Sequence, residues 1–203
     1  LLDEPLSNLD ASLRNQMRRD ILELQRKLSL TTIFVTHDQE EANTISDRIA
    51  VLNEGKIQQI GRPIDLYDKP ANRFVASFLG AANLLEGRVN KVNGDAVFES
   101  NGNLDIPLLD DKNQVDESRI VMFRPQDITI AFAGDNISNS DSELFEGVVS
   151  HREFLGNRVR YSVDVKKHVI IVDDSYSAGR RIFEFGQKVV LNLNLKQIRM
   201  LAE

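Results

Sequence analysis

Leu1-Leu2-Asp3-Glu4-Pro5, running on into Leu6-Ser7-Asn8-Leu9-Asp10, is the stretch on which the reading of this sequence turns. Two apolar residues lead into two adjacent carboxylates, and a proline stops the run. This is the pattern of a buried parallel strand that ends where it opens onto a site, because functional groups of open α/β sheets collect at the carboxyl ends of strands. Neighbouring carboxylates at such an end can divide two tasks. One helps to hold a hard cation, which takes oxygen ligands; the other orients or deprotonates a water. A lone Asp-Glu also fits a solvated acidic turn, so the following segments decide.

Asp10 is placed to cap a helix, since its carboxylate can accept from the free N–H groups of the first turn. Leu13, Met17, Ile21, Leu24 and Leu28 then recur at helical spacing as one apolar stripe. Arg14, Arg18, Arg19, Arg26 and Lys27 fall largely off it and read as a solvated basic face. Thr31 to Val35 is a short β-prone run, so strand, helix and strand form a βαβ unit with parallel strands. Asp3 and Glu4 end one strand and His37 follows the other, which puts all three on one rim. Asp38 and Glu41 carry a capping-box pattern for a helix ending near Ile45. His37, behind a buried strand on an acidic rim, is a candidate site residue, whereas His151 and His168 read as surface or strand residues.

Further along, Arg48 to Ile60 reads as a hairpin around Asn53-Glu54-Gly55. Pro63 suits the first turn of a helix. Pro70 breaks that helix, and Gly80 ends a second one carrying Phe74, Val75, Phe78 and Leu79. Beyond Ala81 helical stripes give way to short β-prone runs: 84–92, 96–99, 120–123, 128–132, 144–150, 158–165, 169–172 and 189–195. Many short strands separated by turn signals imply a small all-β barrel or sandwich. Asp135 to Glu143 is expected to be a polar, acidic, mobile loop.

The order of Asp3-Glu4, Ser7-Asn8-Leu9-Asp10 and Thr36-His37-Asp38 resembles the rear half of an ABC-transporter ATPase, with its Walker B pair, D-loop and switch histidine. Gly61-Arg62-Pro63-Ile64-Asp65-Leu66-Tyr67, then Pro70 to Gly80 and Asn83, closely resembles the importer ATPases of the polyamine, ferric iron, sulfate and maltose class. Phe123 to Ile128 and Glu153 to Arg160 resemble segments of their C-terminal TOBE domain. The resemblance implies an α/β part of a P-loop NTPase domain over residues 1–80, followed by an all-β, oligonucleotide-binding-like TOBE domain over 81–203. It implies that Asp3 helps to hold Mg²⁺, that Glu4 polarises the attacking water and that His37 contacts the terminal phosphate of ATP. Ser7, Asn8, Leu9 and Asp10 would belong to the nucleotide site and face the partner subunit, since two such subunits close head-to-tail around two ATP molecules. The implied partners are a second ATPase subunit, transmembrane permease subunits and, indirectly, a solute-binding protein, at the cytoplasmic face of the membrane.

Composition is compatible with this. The 203 residues are 41% hydrophobic and 28% charged, with a net charge of −6 and no cysteine. Thiolate metal sites and disulfides are excluded, and the acidic balance argues against a nucleic-acid partner, which calls for neutralising cations. No Gly-x-x-x-x-Gly-Lys-Ser/Thr loop, glutamine loop or Leu-Ser-Gly-Gly-Gln signature occurs in the sequence. With only Leu1 and Leu2 ahead of the carboxylates, the chain is expected to begin inside a strand as the rear of a longer protein. By itself it is expected neither to bind nor to hydrolyse ATP, and to expose apolar core over residues 1 to 60, favouring self-association or disorder there. The alternative function is a regulatory module, in which the β-domain binds a small ligand and controls the transporter.

Overall fold

The computed structural model describes residues 1–109, 118–135, 137 and 141–201. Its chain forms two compact units, Leu1–Gly80 and Ala81–Glu203.

In the first unit, β1 (Leu2–Asp3) pairs parallel with β2 (Phe34–Val35), and α1 (Ala11–Leu28) connects them. Asp10 caps α1 by accepting from the Leu13 N–H at 2.9 Å. The exposed apolar residues of α1 follow the expectation for residues 1 to 60, but its basic face, expected to be solvated, is in part buried. Leu13, Leu24 and Leu28 stand exposed, while Arg18 is only 5% exposed. The reason lies in α2 (Gln39–Ile45), whose N-terminus brings Asp38, Glu40 and Glu41 against the arginines of α1. Buried charges persist only when paired, and here the pairing determines which side of α1 turns inward. Leu1, Leu30, Ile33 and Val35 are exposed as well.

The rest of this unit is a small apolar cluster. β3 (Ile49–Asn53) and β4 (Lys56–Gly61) form the hairpin, with both Glu54 and Gly55 at positive φ, as the tight turn between twisted strands requires. Ile49 and Val51 pack with Leu66 of α3 (Pro63–Asp68) and with Val75 and Leu79 at α4 (Arg73–Phe78). Asn72 caps α4 through the Val75 N–H at 3.0 Å and also donates to Gln58 at 2.9 Å. Gln59 bridges the Lys69 carbonyl and the Ala71 N–H. The segment around Pro70 is therefore held by amide side chains of β4.

The second unit consists of two five-stranded antiparallel sheets. One runs β14 (Arg199–Leu201), β8 (Ser118–Phe123), β5 (Asn83–Val92), β6 (Asp95–Ser100), β7 (Asp105–Pro107). The other runs β12 (His168–Ser175), β11 (Arg158–Val165), β10 (Ser142–Phe154), β13 (Lys188–Asn194), β9 (Ile128–Phe132). Alternation along the strands feeds one shared core: Leu85 and Val89 from β5, Val159, Tyr161 and Val163 from β11, and Val189, Leu191 and Leu193 from β13. The chain changes sheets through one-turn helices at Pro125–Asp127 and Leu195–Gln197. Asn83 connects the sheets directly: its amide donates to the Ile171 carbonyl at 2.8 Å and accepts from the Ile171 N–H at 2.7 Å.

β7 and β14 were not expected from the sequence, and β10 is longer than the expected 144–150 run. Ser142 and Glu143, expected in the acidic loop, belong to β10. Residues 136 and 138–140 of that loop lie outside the described residues. His151 and His168 lie on β10 and β12, but His168 is half-buried and its Nε2 lies 2.7 Å from Ser100 Oγ.

Candidate functional site

Pairing of β1 with β2 builds the site. Leu2 N–H donates to the Ile33 carbonyl and Glu4 N–H to the Val35 carbonyl, both at 2.9 Å. The residues just past the strand ends are therefore neighbours. Glu4 adopts a left-handed backbone (φ 43°), a conformation costing about 1 kcal/mol for a residue with a Cβ. That turn ends the strand, and the Glu4 carbonyl accepts from both the N–H and the hydroxyl of Ser7. The Glu4 carboxylate lies with Oε1 3.2 Å from His37 Nδ1; the side chains are 47% and 74% exposed. With Nδ1 turned to a carboxylate, Nε2 is left for another partner.

Asp3 is exposed beside Glu4. Ser7 and Asn8 are exposed, Leu9 is half-buried and Leu6 anchors the loop from inside. Asp10 spends its carboxylate on the α1 cap. Glu41, read from the sequence as a capping-box partner, is instead 2% exposed and accepts from the Thr36 hydroxyl at 2.6 Å. The Asp38 carboxylate does cap α2, accepting from the Glu40 and Glu41 N–H groups.

Glu4, Ser7, Arg14, Thr36, His37, Asp38 and Glu41 surround a cleft of about 60 Å³. Nucleotide-sized ligands occupy roughly 300 Å³ or more, so this cleft admits a water or the edge of one phosphate group. Among the described residues no three His, Asp or Glu side chains gather into a metal cage. One exposed carboxylate beside Glu4 fits a cation such as Mg²⁺, which keeps most of its water and takes one or two carboxylates plus phosphate oxygens. Arg14 and Glu41 were missed as site residues. Their signal was the complementarity of two arginines four apart with three acids just after His37. In the second unit a larger polar groove of about 370 Å³ is lined by Gln126, Thr129, Asp141, Asn192 and Lys196 among others. Among the described residues no helix is long and apolar enough to cross a membrane.

Known proteins resemble both parts of the chain. Residues 121–201 match the TOBE domain. The spermidine/putrescine import ATP-binding protein PotA of Rubrobacter xylanophilus is 43% identical over 165 residues, 79% of this chain and 42% of that protein. The Fe(3+) ions import ATP-binding protein FbpC of Fusobacterium nucleatum is 36% identical over 205 residues, all of this chain and 52% of that protein. PotA of Aster yellows witches'-broom phytoplasma is 42% identical over 186 residues, 90% of this chain and 42% of that protein. A molybdate-bound structure of the cytoplasmic protein ModG shares a TM-score of 0.49 at 10% identity, covering 65% of this chain and 97% of that one, a likeness too slight to argue from. The chain spans about half the length of the curated relatives it matches. Over that span the chain is similar to importer ABC ATP-binding subunits, and its residues 121–201 match the TOBE domain.

Proposed function

We propose that the protein carrying this chain is the ATP-hydrolysing subunit of an ABC importer, coupling hydrolysis to uptake of a small solute. Residues 1–80 are then the rear of its P-loop NTPase domain and residues 81–203 its TOBE domain. The observation that carries the reading is the Glu4–His37 contact at the ends of two adjacent parallel strands. Phosphoryl transfer to water depends on positioning and charge stabilisation. Glu4 orients the water and draws off its proton. His37, held by Glu4 through Nδ1, offers Nε2 to the terminal phosphate. Asp3 contributes one carboxylate toward Mg²⁺, which, when bound, offsets phosphate charge. Ser7, Asn8, Leu9 and Asp10 form the loop that meets a second ATPase subunit, with Asp10 acting through the α1 cap. Permease subunits and a solute-binding protein complete the assembly on the cytoplasmic face of the membrane. No nucleic acid enters this reading.

The test is ATP hydrolysis by the complete protein with Glu4→Gln or His37→Ala. Loss of a positioned general base costs about 10²–10⁴-fold in rate, with ATP binding retained. Hydrolysis unchanged in both variants would overturn the assignment. In the 203-residue chain the cleft beside Glu4 and His37 is about 60 Å³, too small for a nucleotide, so calorimetry is expected to show no saturable ATP binding by it; stoichiometric binding would refute that. A second reading, ligand control through the β unit, is favoured by its polar groove, and a small polar solute that raises the melting temperature of the second unit without nucleotide would support it.

A further inference from the structure

We propose that Arg14 is a positioning residue that makes the loop Ser7–Asp10 and the turn Thr36–Asp38 move as one body, so that the state of His37 reaches the loop. The inference rests on the roles of Glu4, His37 and the loop set out under the proposed function. Arg14 lies in the first turns of α1, on the side turned to α2. Its Nη2 donates to the Leu9 carbonyl at 3.0 Å, and its Nη1 faces Asp38 Oδ2 at 3.4 Å. One guanidinium thus spans the end of the loop and the residue after His37. Its Nε lies 3.8 Å from Glu41 Oε1. Glu41 is fixed in turn by the Thr36 hydroxyl, which also accepts from the Asp38 N–H at 3.0 Å. The turn that presents His37 is held from both flanks.

These contacts close a ring. From Glu4 the path runs through its carbonyl to Ser7, along the loop to Leu9, across Arg14 to Asp38, and back through His37 to the Glu4 carboxylate. Glu4, Ser7, Arg14, His37 and Asp38 of this ring line the 60 Å³ cleft, together with Thr36 and Glu41. A group entering the cleft therefore meets the ring on every side, and a displacement of His37 has a charged, hydrogen-bonded route to the loop.

Arg14 is not needed merely to dock the helices. Arg18, one turn on, has its own clasp on α2, with Nη1 2.8 Å from Glu40 Oε1 and Nη2 3.8 Å from Asp38 Oδ2. Only Arg14 adds the contact to Leu9. A lysine would keep the charge but not the planar fork that reaches in two directions at once.

The experiment uses amide NMR of the complete protein. His37→Ala is introduced into wild type, Arg14→Lys and Arg18→Lys, and the resulting shift changes are read at Ser7, Asn8 and Leu9. The expected result is a clear response in wild type and in R18K, and its loss in R14K and in a second variant, Arg14→Gln. A full response in both Arg14 variants overturns the inference. An equal loss in R18K also overturns it, because both arginines would then be docking contacts only. In the complete protein, R14K is expected to lower kcat for ATP hydrolysis by about 10–100-fold through misplacement, with KM for ATP within about twofold. An unchanged kcat overturns the inference. Intact NMR coupling in a protein whose hydrolysis ignores Glu4 would sink the reading of the site and leave the coupling through Arg14 standing.

Discussion

Asn83→Ala should be among the most damaging single changes in the second unit, and the structure sets the size of the effect. Asn83 is 4% exposed at the start of β5. Its side chain makes two hydrogen bonds, of 2.8 and 2.7 Å, to the backbone of Ile171 on β12, the edge strand of the opposite sheet. One amide side chain thus does for Ile171 what a neighbouring strand would do. Truncation removes two bonds of about 1 kcal/mol each. It also leaves the Ile171 N–H and C=O to find other partners. Because Ile171 is half-buried, water reaches these groups in part, so about 1 kcal/mol of desolvation penalty remains and the total is about 3 kcal/mol. For a chain of this size that lowers Tm by roughly 6–12 °C. Urea denaturation followed by circular dichroism measures the loss. Hydrogen exchange at the Ile171 amide localises it, since protection there should fall before that of β11. Asn83→Asp adds a sign test. Its carboxylate keeps the acceptor but faces the Ile171 carbonyl, so burial raises the folded-state pKa above the unfolded value. N83D should therefore recover stability relative to wild type as pH falls through that raised value. An N83A variant within about 0.5 kcal/mol of wild type, with the Ile171 amide still protected, would refute the clamp.

Three further outcomes are expected. Burial holds the His168 imidazole below its ordinary pKa, and Ser100 Oγ, which accepts from the Leu104 N–H, is free to donate to a neutral Nε2. The neutral form is favoured on folding, so this stability is complete above the unfolded value of about 6.5 and is lost as pH falls from there toward the lowered folded value. The difference between wild-type and His168→Gln denaturation curves isolates the slope, because Asp174 and Glu143, both raised by burial, bend the curve the other way. In Gly87→Ala the added Cβ would lie 2.1 Å from the Glu99 carbonyl oxygen and 2.7 Å from Phe98 Cζ. The first is backbone of the paired strand and cannot step aside, so a loss of about 2–3 kcal/mol is expected in the urea midpoint. Arg18→Met should cost less than about 1 kcal/mol despite the burial of Arg18, because Glu40 is well solvated and the arginine's own desolvation penalty disappears with it; a loss several times larger would show that the clasp is worth more than its exposed partner suggests.

The strands of the second unit were legible because each buries alternate residues on one face, and Val159, Tyr161, Val163 and Val165 of β11 display the period without help from the rest of the chain. β7 and β14 were not, for a physical reason. Each is three residues long, and one contains Pro107; they exist as strands only through pairing with β6 and β8. No three-residue window carries a period, and the partner that confers strand geometry is remote in sequence. α1 shows the other limit. A leucine stripe and an arginine pair share the same helical spacing, and the sequence pattern alone favours burying the leucines. The arginines turn inward toward α2 because three acids stand at its N-terminus.

That inversion also explains why the periphery of the site was harder to read than its centre. Glu4 and His37 could be brought together from strand ends alone, since parallel pairing of β1 and β2 fixes which residues emerge side by side. Arg14, Thr36 and Glu41 owe their places to how α1 and α2 meet, a tertiary fact that periodicity does not encode. Asn83 lies between these cases. In the sequence it follows the 70–80 stretch without a role of its own, and the structure supplies one: a residue with an N–H donor and a carbonyl acceptor on a short stem can satisfy both backbone groups of an edge residue in another sheet. An ionised Asp lacks the donor, Leu lacks both groups, and Gln carries them on a longer stem. The constraint that selects asparagine at the start of β5 is therefore set by Ile171, 88 residues further along the chain.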